Sequence, residues 1–298
     1  MTDETPLFEA CFSGNETVVK YLVEYGLDIN KANKNGENSL FRACRCENEA
    51  VIRYLVEHGV DINNENRKGE TPLFEACCIG NEDMVKYLVE HGADINKENE
   101  DGETPLFNAY KNGNKTLVKY LVEHGADVNK ESRKGETLLF LACRKENEVI
   151  IKYLVEYGAG MNKENRYGKT PLFETCEIGN ETTVKYLIEK LGANIYENNS
   201  LNETPLFMAC QNGKETLVKY LVEHGADINK ENNLKITPLF IACQNGIETL
   251  VKYLVEHGAH INKVNEIDET PLFDACHNEN EAIIKYLVEH GAEINKKK

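Results

Sequence analysis

Apolar positions in this chain follow two local patterns that return at a fixed interval. In residues 71–103 a short apolar cluster, Leu73, Phe74, Ala76 and Cys77, ends at Gly80; Met84, Val85, Leu88 and Val89 then recur at i, i+1, i+4 and i+5 before Gly92. The second spacing lays an apolar stripe along one side of a helix. Thr71 followed by Pro72 predicts the start of a first helix, with the threonine hydroxyl as N-cap and proline where a missing N–H costs nothing. Asn81 predicts a second N-cap, and Gly80 and Gly92 mark the two helix ends. The chain then leaves through Ala93-Asp94-Ile95-Asn96 toward Asn99-Glu100-Asp101-Gly102, where Asp-Gly predicts a tight turn. One unit is therefore helix, turn, helix and projecting tip.

The unit is copied along the whole chain. All seven prolines are the second residue of a T-P-L-F tetrad, at Thr5, Thr71, Thr104, Thr170, Thr204, Thr237 and Thr270. Asn38-Ser39-Leu40-Phe41 and Thr137-Leu138-Leu139-Phe140 fill the gaps, giving nine repeats starting near 5, 38, 71, 104, 137, 170, 204, 237 and 270. The step is 33 residues, except for 34 between Thr170 and Thr204, where Glu189-Lys190-Leu191-Gly192 replaces Glu-His-Gly. That insertion predicts an altered helix end and a local bend or a less cooperative seam between repeats six and seven. A unit this small cannot bury both helices alone, so Leu73, Ala76, Val85 and Leu88 must find partners in adjacent copies. The fold class expected is an all-α solenoid of nine stacked helix-turn-helix repeats with projecting β-turn tips, a curved elongated array forming a single domain over residues 1–298.

The pattern T-P-L-F-x-A-C-x-x-G-N-x-x-x-V-K-Y-L-V-E-H-G-A-D-I-N resembles the ankyrin repeat, and the resemblance covers the whole chain. One departure is systematic: Phe8, Phe41, Phe74, Phe107, Phe140, Phe173, Phe207, Phe240 and Phe273 stand where that family usually has His. The resemblance implies that aromatic packing replaces the family's His-to-backbone bonds between repeats. It also implies non-catalytic recognition of a protein partner through the concave tips and the exposed side of the first helix. The Asn of G-A-D-[IV]-N, here Asn96, Asn129 and Asn229 with near matches at Asn30 and Asn63, is similar to asparagines that cellular hydroxylases modify; Tyr196 breaks the pattern in repeat six.

Charge narrows the partner class. With 50 acidic against 34 basic residues, the net charge of −16 would repel a nucleic-acid backbone. No apolar run reaches membrane-spanning length, and Met1-Thr2-Asp3-Glu4 has neither a basic nor an apolar signal region. These features predict a cytoplasmic, reducing location, with delivery into a host cell as an open alternative. Cys11, Cys44, Cys77, Cys143, Cys176, Cys210, Cys243 and Cys276 share one repeat position, with Tyr110 in the ninth copy. Stacked elements lie roughly 8–10 Å apart, beyond the ~7 Å Cα reach of a disulfide, so this column is expected to be buried thiol, with Cys46 and Cys78 outside it.

Most candidate chemistry dissolves into the period. His58, His91, His124, His224, His257 and His290 all precede the glycine closing the second helix, where they suit the last carbonyls and the helix dipole. Glu16/Lys20, Glu82/Lys86, Glu215/Lys219, Glu248/Lys252 and Glu281/Lys285 are i,i+4 pairs of a solvated helix face. No nucleophile, metal-ligand set or phosphate loop stands outside the repeat, so no enzyme, metal or cofactor is expected.

What remains informative is where the copies disagree. Three residues before each tetrad stand Asn35, Lys68, Asp101 and Lys134, then Tyr167, Leu201, Leu234 and Ile267, so the tips turn apolar at repeat six. In the last three repeats the turn glycine gives way to Asn202, Lys235 and Asp268, and Ile236 adds a further apolar tip residue. Met208 and Ile241 fall on the first helix near this row, and Arg133, Lys134, Arg144, Lys145 and Arg166 gather basic charge beside it. These residues suggest a partner with acidic and apolar groups. The competing reading is a second hydrophobic seam in which the tips pack on one another. At the level of function, the alternative is a structural spacer or a fragment of a longer array whose activity lies in flanking domains. Both terminal repeats keep interior-type apolar residues, which leaves monomer or weak end-to-end association as the expected states.

Overall fold

The computed structural model describes residues 5–294, so the tetrapeptide Met1 to Glu4 read above lies outside the described residues. Eighteen α-helices and no strand are present among the described residues, two helices to each of nine repeats. In repeat three the helices are Pro72–Ile79 and Glu82–Glu90, as the spacing predicts. The chain divides into two compact units, residues 1–138 and 139–298, with the boundary inside the first helix of repeat five, Leu138–Arg144. Repeats one to four make up the first unit, and the remainder make up the second.

Within each unit the first helices of successive repeats pack on one another and on the second helix of their own repeat. This buries the tetrad leucines and the phenylalanine column; Phe41, Phe74 and Phe107 in the first unit and Phe173 and Phe240 in the second are almost wholly covered. Side chains of this size dominate the hydrophobic stabilisation of a repeat interface.

The helix starts differ from expectation in an instructive way. Asn81 Oδ1 accepts the Met84 N–H at 3.1 Å, and Asn15, Asn48, Asn114, Asn147, Asn180 and Asn280 cap their second helices likewise. Repeats seven and eight carry Lys214 and Ile247 there and lack the side-chain cap. The threonine hydroxyl, by contrast, caps the first helix at Thr170 and Thr204 but not at Thr5, Thr71, Thr104, Thr237 or Thr270. Proline has already removed one orphan donor, and the backbone takes the next: the Phe74 N–H donates to the Thr71 carbonyl at 2.9 Å.

The insertion in repeat six is absorbed at the end of the second helix, Glu181–Glu189. In repeat three the Ala93 N–H reaches the Leu88 carbonyl at 3.0 Å; in repeat six the Ala193 N–H reaches the equivalent Leu187 carbonyl at 2.9 Å, across one more residue. Both alanines are buried, and the contacts to the next repeat persist, with Tyr220 Oη donating to Glu189 at 3.0 Å. The helix end is altered as expected, while the tip beyond it keeps its register.

Candidate functional site

Each tip is a turn braced from inside. Asn99 Oδ1 accepts the backbone N–H of Asp101 at 2.9 Å and of Glu103 at 3.0 Å, and Asn165, Asn199, Asn232 and Asn265 do the same in the second unit. Successive tips are tied by backbone. In the first unit the carbonyls of Asn35, Lys68 and Asp101 accept N–H groups of Arg67, Glu100 and Arg133 at 2.6–2.7 Å. In the second unit the carbonyls of Tyr167, Leu201 and Leu234 accept those of Ser200, Asn233 and Glu266 at 2.9–3.2 Å.

These bonds fix the tip backbones and leave the tip side chains outside. Tyr167, Leu201, Leu234 and Ile267 are 53–64 % exposed, so no hydrophobic seam covers them; Ile236 is half-buried at the foot of its turn. Where glycine is lost, Asn202, Lys235 and Asp268 hold φ of +63°, +57° and +59°, the left-handed region the tip glycines occupy. Asn202 fits best, since its Nδ2 donates to the Glu231 carbonyl of the next repeat at 2.9 Å.

Two residues assigned to this surface are not on it. Met208 and Ile241 are only 7 % exposed. Their helices, Pro205–Gln211 and Pro238–Gln244, pack against each other, and a side chain at that position lies between first helices; Glu174, its counterpart in repeat six, is also largely covered.

The basic residues divide as well. Arg133 and Lys134 belong to the first unit and are exposed, Arg133 lying 3.7 Å from Asp101. In the second unit Arg144 is bound to Glu174 of the next repeat at 2.7 Å, a structural ion pair like Arg45 with Glu75 at 3.2 Å. Lys145 and Arg166 are exposed, Arg166 directly beside Tyr167. One signal was missed in sequence. Residues eight apart, from tip to first helix, form ion pairs in Glu37/Arg45 at 2.5 Å and Glu103/Lys111 at 2.5 Å, and with reversed sign in Lys169/Glu177 at 2.5 Å. In repeat eight those positions are Ile236 and Gln244, which cannot pair.

The periodic columns serve the scaffold. Nδ1 of His58, His91, His124, His224, His257 and His290 lies 2.8 Å from the carbonyl of the tyrosine four residues earlier, on which each imidazole also packs. Asn30, Asn63, Asn96 and Asn229 each spend both ends of the amide on the next repeat: Asn96 donates to the Gly125 carbonyl at 2.9 Å and accepts the Asp127 N–H at 2.7 Å. All ten cysteines are free, and burial pushes the column thiols up, Cys11 and Cys143 to about 12. Cys276 is the exception: it is exposed. Of the expected surface pairs, Glu16/Lys20 and Glu248/Lys252 form at 2.5 and 2.6 Å, whereas Lys86 lies nearer Asp83 and Lys285 nearer Glu289, each at 3.9 Å. Among the described residues no group of three or more His, Cys, Asp or Glu is placed to hold a metal, and no helix is long and apolar enough to cross a membrane.

The family profile described as "Ankyrin repeats (3 copies)" matches residues 1–66, 60–132, 129–199 and 206–298. The chain belongs to the ankyrin repeat family. Among solved structures it is similar to the ankyrin repeat domain of Bcl-3, described as a unique member of the IkappaB protein family. The two are 28 % identical with a TM-score of 0.65, over 75 % of this chain and 100 % of that one. No curated protein sequence matches this chain. Ankyrin repeats are generally protein–protein interaction modules, and the fold is a non-catalytic scaffold for such contacts.

Proposed function

We propose that this chain binds a protein partner through the tips of its second unit, along Tyr167, Leu201, Leu234 and Ile267 with Ile236 at their foot. The observation that carries this reading is the exposure of four successive apolar tip side chains whose backbones are already hydrogen-bonded. The braced turns already fix the tip backbones, so binding here orders side chains but little additional backbone. A leucine or isoleucine of this kind contributes up to about 1.5–3 kcal/mol when fully buried. Arg166 beside Tyr167 favours a partner whose apolar residues are flanked by carboxylates, while Arg144 contributes less because a partner must compete with Glu174. Met208 and Ile241 are removed from the surface. The free, largely buried thiols support work in a reducing compartment.

The test is selection of a random peptide display library on the immobilised protein. Wild type should enrich sequences with spaced apolar residues and acidic flanks, and Leu201→Glu combined with Leu234→Glu should lower that enrichment at least tenfold, about 1.4 kcal/mol. Enrichment unchanged by the double substitution would exclude the tip row.

A further inference from the structure

Between the second helices of repeats two and three, Glu49–Glu57 and Glu82–Glu90, the first unit holds a cavity of about 100 Å³. That is room for about three waters or the end of one side chain, well short of the roughly 300 Å³ at which small-molecule sites begin. Its floor is apolar: Ile52, Met84 and Tyr87 are 2 %, 5 % and 7 % exposed. Its rim is acidic, made by Glu47, Glu49 and Asp83 together with the amide of Asn81.

Three of these residues depart from the repeat together. Glu47 stands where six copies have glycine, Asp83 is the one acid at a position held mostly by threonine, and Met84 is the one methionine where other copies have Val, Leu, Ile or Thr. The change at Glu47 also re-routes a bond across the seam. Elsewhere the asparagine that caps the second helix reaches the backbone of the preceding repeat, Asn48 to the Gly14 carbonyl at 3.0 Å and Asn114 to the Gly80 carbonyl at 3.2 Å. Asn81 Nδ2 donates to Glu47 Oε2 at 3.0 Å instead. The rim charges are unequally matched. Arg53 takes Glu49 at 2.6 Å and lies over the Tyr87 ring at 4.5 Å, Lys86 stands 3.9 Å from the exposed Asp83, and the partner of Glu47 is a neutral amide. The Tyr87 hydroxyl is buried without a hydrogen-bond partner.

We propose that this cavity receives a lysine side chain of a partner protein, its methylenes on Ile52, Met84 and Tyr87 and its ammonium against Glu47 and Asp83 at the rim. Lysine covers apolar surface in this way, with the stem buried and the charged head left near water. Three carboxylates against Arg53 and Lys86 leave the rim net negative, which favours a cation over a neutral or acidic residue. The ammonium is a compact point charge and suits a volume this small better than the planar fork of arginine. An N–H donor entering the cavity also offers the Tyr87 hydroxyl the partner it lacks. The site is built on second helices, so it is independent of the apolar tip row.

Methionine-methyl NMR of the full chain tests this, because Met84 is part of the floor. With the methionine methyls isotope-labelled, a Gly-Gly-Lys-Gly-Gly peptide capped at both ends should shift the Met84 resonance saturably in the millimolar range and leave those of Met161 and Met208 in place. The matched norleucine peptide, which keeps the stem and loses the charge, should bind at least tenfold more weakly, about 1.4 kcal/mol. Raising the salt from about 0.02 M to about 0.3 M should weaken the lysine peptide severalfold. Glu47→Gln keeps an acceptor for Asn81 and Asp83→Asn lies at an exposed position, so both should melt like wild type, and each should weaken binding at least threefold. A Met84 resonance that stays in place, a norleucine peptide that binds as well as the lysine peptide, or binding unchanged in either variant would each overturn the proposal. If Glu47→Gln melts early, Asp83→Asn carries the comparison alone, with the same outcomes required.

Discussion

The tip of repeat four and the tip of repeat eight perform the same backbone task with opposite side chains. At one, Asp101 gives its carbonyl to Arg133 and Gly102 follows with φ +72°; at the other, Leu234 gives its carbonyl to Glu266 and Lys235 follows with φ +57°. The bond between tips is thus independent of the residue that makes it. The side chain is therefore free to be polar at one tip and apolar at the other, while the glycine that eases the turn is lost in the final three repeats.

The largest test of this comparison is at Gly102. A Cβ there would lie 2.6 Å from the Glu131 carbonyl oxygen, so Gly102→Val adds backbone clash to left-handed strain and should destabilise by about 3 kcal/mol in urea unfolding. Gly102→Asn brings the same Cβ but should cost less, about 2 kcal/mol, because asparagine tolerates this region and Asn202 shows an amide that bonds the next repeat from the same position. Equal losses for the two would mean that volume, not conformation, decides the position.

A smaller effect concerns Asp274, the polar counterpart of Met208 and Ile241. Burial, then Glu269, pushes its carboxyl up to about 6. The protonated form is therefore favoured in the folded state. The associated stability is complete below about pH 4, the unfolded value, and is lost as pH rises through about 6. Asp274→Asn should abolish that dependence and raise stability near neutral pH by about 1 kcal/mol, a figure reduced for the solvent screening of a half-exposed group. Hydrogen exchange in repeat nine, followed across this range, reads it directly; a pH profile shared by the variant would assign the titration elsewhere.

Lys235→Gly should then gain about 0.5–1 kcal/mol by relieving left-handed strain, and a gain comparable to zero would show that lysine is already accommodated. Smallest of all, Leu201→Ser with Leu234→Ser should change stability by less than about 0.5 kcal/mol, since both side chains are exposed. A larger loss would revive the packed-seam reading of the tips.

The fold was legible because packing repeats: proline at the first helical turn, the Asn81 cap, the buried cysteine column and the histidine at each second-helix end are local consequences of one unit. The site was legible only in part. The apolar tips lie where the turn geometry puts them, but Met208 and Ile241 depend on how adjacent first helices meet, and Arg144 on a carboxylate 30 residues away. The threonine hydroxyl was over-read because proline and the backbone carbonyl already satisfy the helix start. Pairs such as Glu103 with Lys111 were written in the sequence at a fixed separation, yet only the sign reversal at Lys169 and Glu177 distinguishes them from ordinary surface charge.

The extra residue near Leu191 shows that chain length and repeat register are uncoupled at one point of the unit. The loop closing the second helix lengthens while the Asn194 N–H still meets Asn162 at 3.1 Å and the Ser200 N–H still meets Tyr167 at 2.9 Å. That loop is a natural insertion port. A fluorophore-bearing segment or an epitope placed after Lys190 would report on this protein without altering the tips it presents.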